Sequence, residues 1–169
     1  YYRYIKKFLM LLNIRKKIKT KIIRTSAVYG IHDSLNIKKA RVVPSLIMRM
    51  LNSKKGSDLT IWGNSKVTRD FIYSGDIAKF LKKIAELKNL NQVINFSSGK
   101  STTIRELAKK LNFLLNKDLN LIFDKNGLSS ASFRVLNNKE FDKLNLRGIN
   151  IMSIDEGLKK TIQWYKQNV

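Results

Sequence analysis

The chain of 169 residues carries a formal net charge of +22, from 34 Lys and Arg against 12 Asp and Glu, and 43% of it is hydrophobic. That is enough apolar material for the core of one ordinary domain, or for parts of two. With no cysteine and a single histidine, His32, disulfide frameworks, thiolate metal sites and histidine-rich metal sites are excluded, so no metal ligands are expected and a reducing cytoplasmic setting suits the chain.

The charge is concentrated at the front. Residues 1–55 hold 15 Lys and Arg against the single acid Asp33, a balance of +14, while the remaining 114 hold 19 against 11, a balance of +8. Clustered cations raise association with phosphates, so a basic module binding nucleic acid or another polyanion without catalysis is one reading. Dispersed lysines on solvated faces are the other. No zinc-finger, RNP or basic-zipper pattern accompanies the charge, so nucleic acid is not the expected partner. The early apolar run FLMLL is far shorter than the roughly 20 residues of a membrane-spanning helix, and no signal peptide pattern is present, so no membrane partner is expected.

In chain order, Ile5, Phe8, Leu9 and Leu12 recur at helical spacing and predict a helix over residues 3–13 with one apolar face. TKIIRTSAVYG reads as one strand ending at Gly30. Pro44 suits the first turn of a helix running PSLIMRMLNSKK. DLTIW and RDFIY are short strands flanking the turn GNSK, and Asp76 lies in the first turn of a helix whose apolar residues are Ile77, Phe80, Leu81 and Ile84. QVINFSS is a buried strand stopping at Gly99, and Thr103 with Glu106 three residues on forms a capping box for the next helix. LNLIFD and SFRVLN are further strands, and SIDEGLKKTIQWYKQN is a terminal amphipathic helix. Strands separated by helices predict an α/β architecture with a mainly parallel sheet.

The stretches YRYIK, RTSAVYG, VVPSLIMRM, IWGNSKVTRDFIYSGDIA, VINFSSGKSTTIRELAKKL and SIDEGLKKTIQWY together resemble, in order and spacing, the C-terminal half of the extended short-chain dehydrogenase/reductase superfamily. The chain looks like a nucleotide-sugar epimerase, dehydratase or reductase. HDSLN with RVVPSLIMRM, FDKNG and FRVLNNKEFDKLNL are similar to the GDP-fucose synthase branch. The resemblance implies the C-terminal part of a Rossmann-type doubly wound parallel sheet, here residues 1–31 and 70–98, plus a smaller mixed α/β substrate-binding domain, residues 32–69 and 99–169. It also implies NAD or NADP as cofactor, a nucleoside diphosphate sugar as substrate and a homodimer.

Tyr2 and Lys6 form the only Tyr-x-x-x-Lys pair in the chain and, as positions i and i+4, share one helical face. An ammonium beside a phenol favours the phenolate and draws its pKa down from about 10. The resemblance then makes Tyr2 the proton donor and acceptor at a sugar carbon during hydride transfer, and Lys6 its electrostatic partner and a ligand of the nicotinamide ribose. The Gly-rich turn that receives a dinucleotide pyrophosphate is absent from this sequence. The chain is therefore expected to be the back half of an enzyme, inactive alone.

The substrate side is better represented. Guanidinium forks match paired phosphates, and the resemblance implies that Arg69, Arg49 and Arg134 face the nucleotide or its phosphates. The bland alternatives are an ion pair of Arg69 with Asp70 or Asp76, and a solvated helix face for Arg49. Trp62 packs on the nucleotide or is plain core. The backbone of Val43 and Pro44 falls where the family's loop meets the base. Asp76 is expected to be a structural cap. The family's usual Asn is replaced by Ala27, its Pro by Ile31, and the general-acid His of the epimerase-reductase branch by Arg41, which cannot release a proton usefully.

Overall fold

The computed structural model of the chain describes residues 2–15, 20–87, 93–124, 131–144 and 149–169. In chain order these form α1 (Tyr2–Ile14), β1 (Ile22–Thr25), β2 (Ala27–Tyr29), α2 (Val42–Asn52), β3 (Asp58–Trp62), β4 (Thr68–Arg69), β5 (Phe71–Tyr73) and α3 (Ser74–Glu86). They continue with β6 (Val93–Phe96), β7 (Thr102–Thr103), α4 (Ile104–Leu115), β8 (Asn120–Asp124), β9 (Phe133–Arg134), α5 (Lys139–Lys143) and α6 (Ile154–Asn168). The pairs β1-β6, β2-β5, β3-β8 and β4-β9 are parallel, and β4-β7 is antiparallel. This is the α/β architecture with mainly parallel pairing that the alternation of elements predicts.

Two segments that read as single strands are each cut in two. TKIIRTSAVYG breaks at Ser26, so that β1 pairs with β6 while β2 pairs with β5. RDFIY breaks at Asp70, so that β4 joins β7 and β9 while β5 pairs with β2. The breaks meet: the Ala27 N–H donates to the Asp70 carbonyl at 2.9 Å. Residue alternation along a strand reports which face is buried, not which neighbour supplies the hydrogen bonds, so a one-residue change of partner leaves little trace in the pattern. Every residue of β5 is buried, as expected of a parallel strand covered on both faces.

That covering comes from two cores. Phe71 and Tyr73 join the larger one, built from α2, α4 and α6 on β3 with Tyr29 of β2, whereas Ile72 joins the smaller one with Phe80, Ile84, Ile94 and Phe96. Phe80 stacks on Phe96 at 3.9 Å between ring centroids, and Phe141 meets both rings edge-on at 5.4 and 4.9 Å. Phe141 arrives on α5, a short helix with little amphipathic signature in the sequence.

The helix ends follow local chemistry. Thr103 and Glu106 form the expected capping box, and Ser153 with Glu156 forms a second. Helix α2 begins at Val42, putting Pro44 third in its first turn, and it stops at Asn52 instead of running to Lys55 because Ser53 turns extended. The C-terminal carbonyls of α2 and α3 are closed by distant lysines. Lys117 Nζ donates to Leu51 O at 2.8 Å and Ser53 O at 2.7 Å, and Lys21 Nζ to Ile84 O at 2.6 Å and Ala85 O at 2.9 Å. Asp76 does not cap α3, whose N-cap is Tyr73. Its buried carboxylate instead accepts the Met152 N–H at 2.8 Å and pins the segment leading into α6. Among the described residues no helix is long and apolar enough to cross a membrane.

Candidate functional site

Strands β4 and β9 bring two of the expected arginines together. In their parallel register Arg69 lies directly opposite Arg134, so both side chains leave the same face of the ladder. Both line an open cleft of about 520 Å³ whose floor is Thr25, Ser26, Ala27 and Asp70. Arg69 Nη1 donates to the carbonyls of Thr68 and Ala131, each at 2.8 Å, which fixes its guanidinium along the cleft wall. Burial, and then the facing Arg134 charge, pull its pKa below the usual guanidinium value. Two like charges held opposite each other in one concavity favour an anion with two negative centres.

Arg49 and Trp62 form a second pair. The Arg49 guanidinium lies over the Trp62 ring, 4.6 Å from its centroid, and Nη2 donates to the Thr60 carbonyl. Burial lowers the Arg49 pKa. Trp62 is 71% exposed, so it is not a core residue, and Arg49 does not lie on a purely solvated face. This pair sits where α2 meets the end of β3, in a different sheet from Arg69 and Arg134. Val43 and Pro44 are buried within the first turn of α2. They are therefore helical, not part of a loop as the resemblance implied, because Val43 and Leu46 dock into the larger core as soon as the helix starts.

Tyr2 and Lys6 lie one turn apart on α1. The Tyr2 side chain is outside the described residues; Lys6 is half-buried. Of the apolar positions that predicted α1, Leu9 and Leu12 are half-buried, whereas Ile5 and Phe8 are exposed together with Leu11 and Ile14. His32 adopts the left-handed region, φ 59°, and packs edge-on against Trp164 of α6 at 5.3 Å.

The residue that sequence reasoning underrated is Asp70. It is fully buried, and its carboxylate accepts Ser98 N–H at 3.0 Å, Ser98 Oγ–H at 2.7 Å and Gly99 N–H at 3.2 Å. It is thus held by a turn after β6, while Asp76 is held by Met152 and lies 3.9 Å from Lys79. The signal was an acid set inside an apolar strand-like run, RDFIY, where an unpaired charge is costly.

Residues 5–96, more than half of the chain, match the NAD dependent epimerase/dehydratase family. The chain belongs to that family. Among curated relatives it is similar to a GDP-L-fucose synthase of Dictyostelium discoideum, 28% identical over 154 residues, covering 88% of this chain and 47% of the relative. It is likewise similar to a putative UDP-glucose 4-epimerase of Methanocaldococcus jannaschii, 29% identical over 161 residues, covering 95% of this chain and 50% of that one. The crystal structure of a GDP-L-fucose synthetase from Naegleria fowleri bound to NADP has the same fold, with a TM-score of 0.86 at 23% identity over 99% of this chain and 53% of the other. The chain spans about half the length of the curated relatives it matches.

Proposed function

We propose that the protein carrying this chain performs NAD(P)-dependent chemistry at a sugar carbon of a nucleoside diphosphate sugar, as an epimerase, dehydratase or reductase. In this reading the chain contributes mainly the substrate side of the site. The observation that carries it is the pair Arg69 and Arg134, opposed across a parallel ladder over one cleft, in a chain of the NAD dependent epimerase/dehydratase family.

In this reading Arg69 and Arg134 bind the two phosphates, and Trp62 packs on the nucleotide with Arg49 behind it. The first turn of α2 at Val43 and Pro44 borders the base. Tyr2 exchanges a proton with the sugar hydroxyl or carbonyl, and Lys6, one turn away on α1, is its electrostatic partner. Lys6 is half-buried and makes no ion pair among the described residues, which suits an ammonium that hydrogen-bonds ribose hydroxyls of NAD or NADP. The dinucleotide, when bound, supplies or accepts the hydride. A Gly-rich turn for its pyrophosphate does not occur in these 169 residues, so turnover is expected only when another segment provides one.

The proposed domain division assigns 1–31 and 70–98 to the nucleotide-binding sheet, and 32–69 and 99–169 to the substrate domain. Support comes from the smaller core, which gathers β1, β2, β5, β6 and α3; Phe141, Leu144, Ile149 and Ile151 cross over to pack on it as well. The exposed apolar residues of α1 suit a homodimer through that helix, and the cysteine-free composition suits the cytoplasm.

A thermal-shift comparison tests the reading. GDP-, UDP- and dTDP-sugars are titrated against wild type and Arg69→Ala, with mixed-sequence duplex DNA as the control. At least one nucleotide sugar is expected to raise the melting temperature of wild type and not of Arg69→Ala. Stabilisation by DNA with no response to any nucleotide sugar would overturn the proposal.

A further inference from the structure

We propose that Asp70 is the positioning residue of the cleft: its carboxylate clamps the turn at Ser98 and Gly99 and thereby holds Arg69 and Arg134 at the separation a diphosphate requires. The inference rests on the diphosphate reading of the cleft given above.

Asp70 occupies the gap between β4 and β5, which belong to different sheets. Its N–H donates to the Arg134 carbonyl at 3.2 Å, and its own carbonyl accepts the Ala27 N–H at 2.9 Å. The backbone of one residue therefore touches both the strand that carries Arg134 and the cleft floor. The side chain adds a third connection. Successive amides of Ser98 and Gly99 converge on its two oxygens, a geometry that Gly99 permits by taking a φ of +69°.

The turn is tied onwards. Ser97 Oγ–H donates to Asn138 Oδ1 at 2.9 Å, and Asn138 Nδ2–H returns a bond to the Ser97 carbonyl at 2.9 Å. Asn138 follows Arg134 by four residues. A closed circuit thus runs from Arg69 through Asp70, Ser98, Ser97 and Asn138 back to Arg134, in addition to the direct β4-β9 ladder. Among the described residues Asp70 forms no ion pair. Its acceptor capacity is taken up by the N–H and O–H donors of Ser98 and Gly99.

The sign of one substitution separates positioning from simple charge. Removing a negative charge from an anion-binding cleft should by itself tighten anion binding. Removing a clamp should loosen it, and should erase the advantage of two linked phosphates over one. Calorimetric titration of wild type, Asp70→Asn and Ser98→Ala with pyrophosphate and with orthophosphate reads both quantities. Asp70→Asn is expected to weaken pyrophosphate binding about tenfold, with the ratio of the two affinities falling towards unity, and Ser98→Ala to move the same way by less. A folded Asp70→Asn protein with unchanged or tighter pyrophosphate binding and an unchanged ratio would overturn the inference. A general loss of stability would lower both affinities together and leave the ratio alone, which also counts against it. If Asp70→Asn does not fold, the ratio in Ser98→Ala decides.

If wild type shows no preference for pyrophosphate, the diphosphate reading itself fails. Amide hydrogen exchange then judges Asp70 separately. Faster exchange at Thr68 and Asp70 in Ser98→Ala, with the amides of α4 unchanged, is expected from the clamp; equal protection in the two proteins would refute it.

Discussion

The Arg49 guanidinium lies over the Trp62 ring at 4.6 Å while the indole stays 71% exposed. A cation on an aromatic ring contributes about 0.5–1 kcal/mol at an exposed site, so the pairing orients the ring more than it stabilises the fold. Trp62→Ala is expected to weaken nucleoside diphosphate binding about tenfold, the scale of one base stacked on an aromatic side chain. Its effect on folding should stay within about 1 kcal/mol, the size of the exposed cation–π contact that it removes. Equilibrium dialysis and urea melts read the two numbers independently.

Arg69→Ala and Arg134→Ala each remove a charged donor from the cleft. A hydrogen bond to a charged group contributes about 1.5–3 kcal/mol, so each change should cost about 10- to 100-fold in nucleoside diphosphate affinity. Because Arg134 burdens Arg69 with a like charge, Arg134→Ala should leave thermal stability unchanged or raise it slightly. A Tm that falls by several degrees would indicate a structural role instead.

Glu106 provides a pH test. Its pKa is held below the usual carboxylate value, first by the Thr103 backbone N–H and then by the Thr103 hydroxyl. A depressed carboxylate pKa gives stability that is present above the unfolded-state value, about 4.3, and lost as pH falls through the folded-state value. The stability difference between wild type and Glu106→Gln, followed by thermal melts, should therefore be present at pH 7 and shrink below about pH 4. Thr103→Ala should cost about 1 kcal/mol at neutral pH.

In the smaller core, Phe80 stacks on Phe96 at 3.9 Å and is fully buried. Phe80→Ala should destabilise the protein by about 3–5 kcal/mol. Phe141→Ala, which removes an edge-on neighbour carried on a short surface helix, should cost less. Chemical denaturation of both variants gives the comparison.

Elements governed by local chemistry were legible in the sequence. The Thr103–Glu106 capping box and the Pro44 turn depend on residues within about one helical turn of each other and fold as the spacing indicates, whereas the apolar period of α3 holds for Ile77, Phe80 and Ile84 but not for Leu81, which is exposed. The arginines of the cleft were legible through resemblance, but their opposition was not, since Arg69 and Arg134 meet only through a register that pairs segments far apart in sequence. The changes of sheet partner at Ser26 and Asp70 were hidden for the same reason. Asp70 looked like an ion-pair partner because Arg69 is its neighbour in sequence. Its actual donors, Ser98 and Gly99, are about thirty residues away, and no spacing rule connects them.

The surplus of lysine has a consequence outside any substrate cleft. Helices α2 and α3 end without glycine, and ammonium groups from Lys117 and Lys21 occupy their last carbonyls in its place. Acylating reagents such as acetic anhydride abolish that positive charge. They would therefore unfasten two helix termini at once, making the protein's resistance to unfolding sensitive to lysine modification at points remote from the arginine pair.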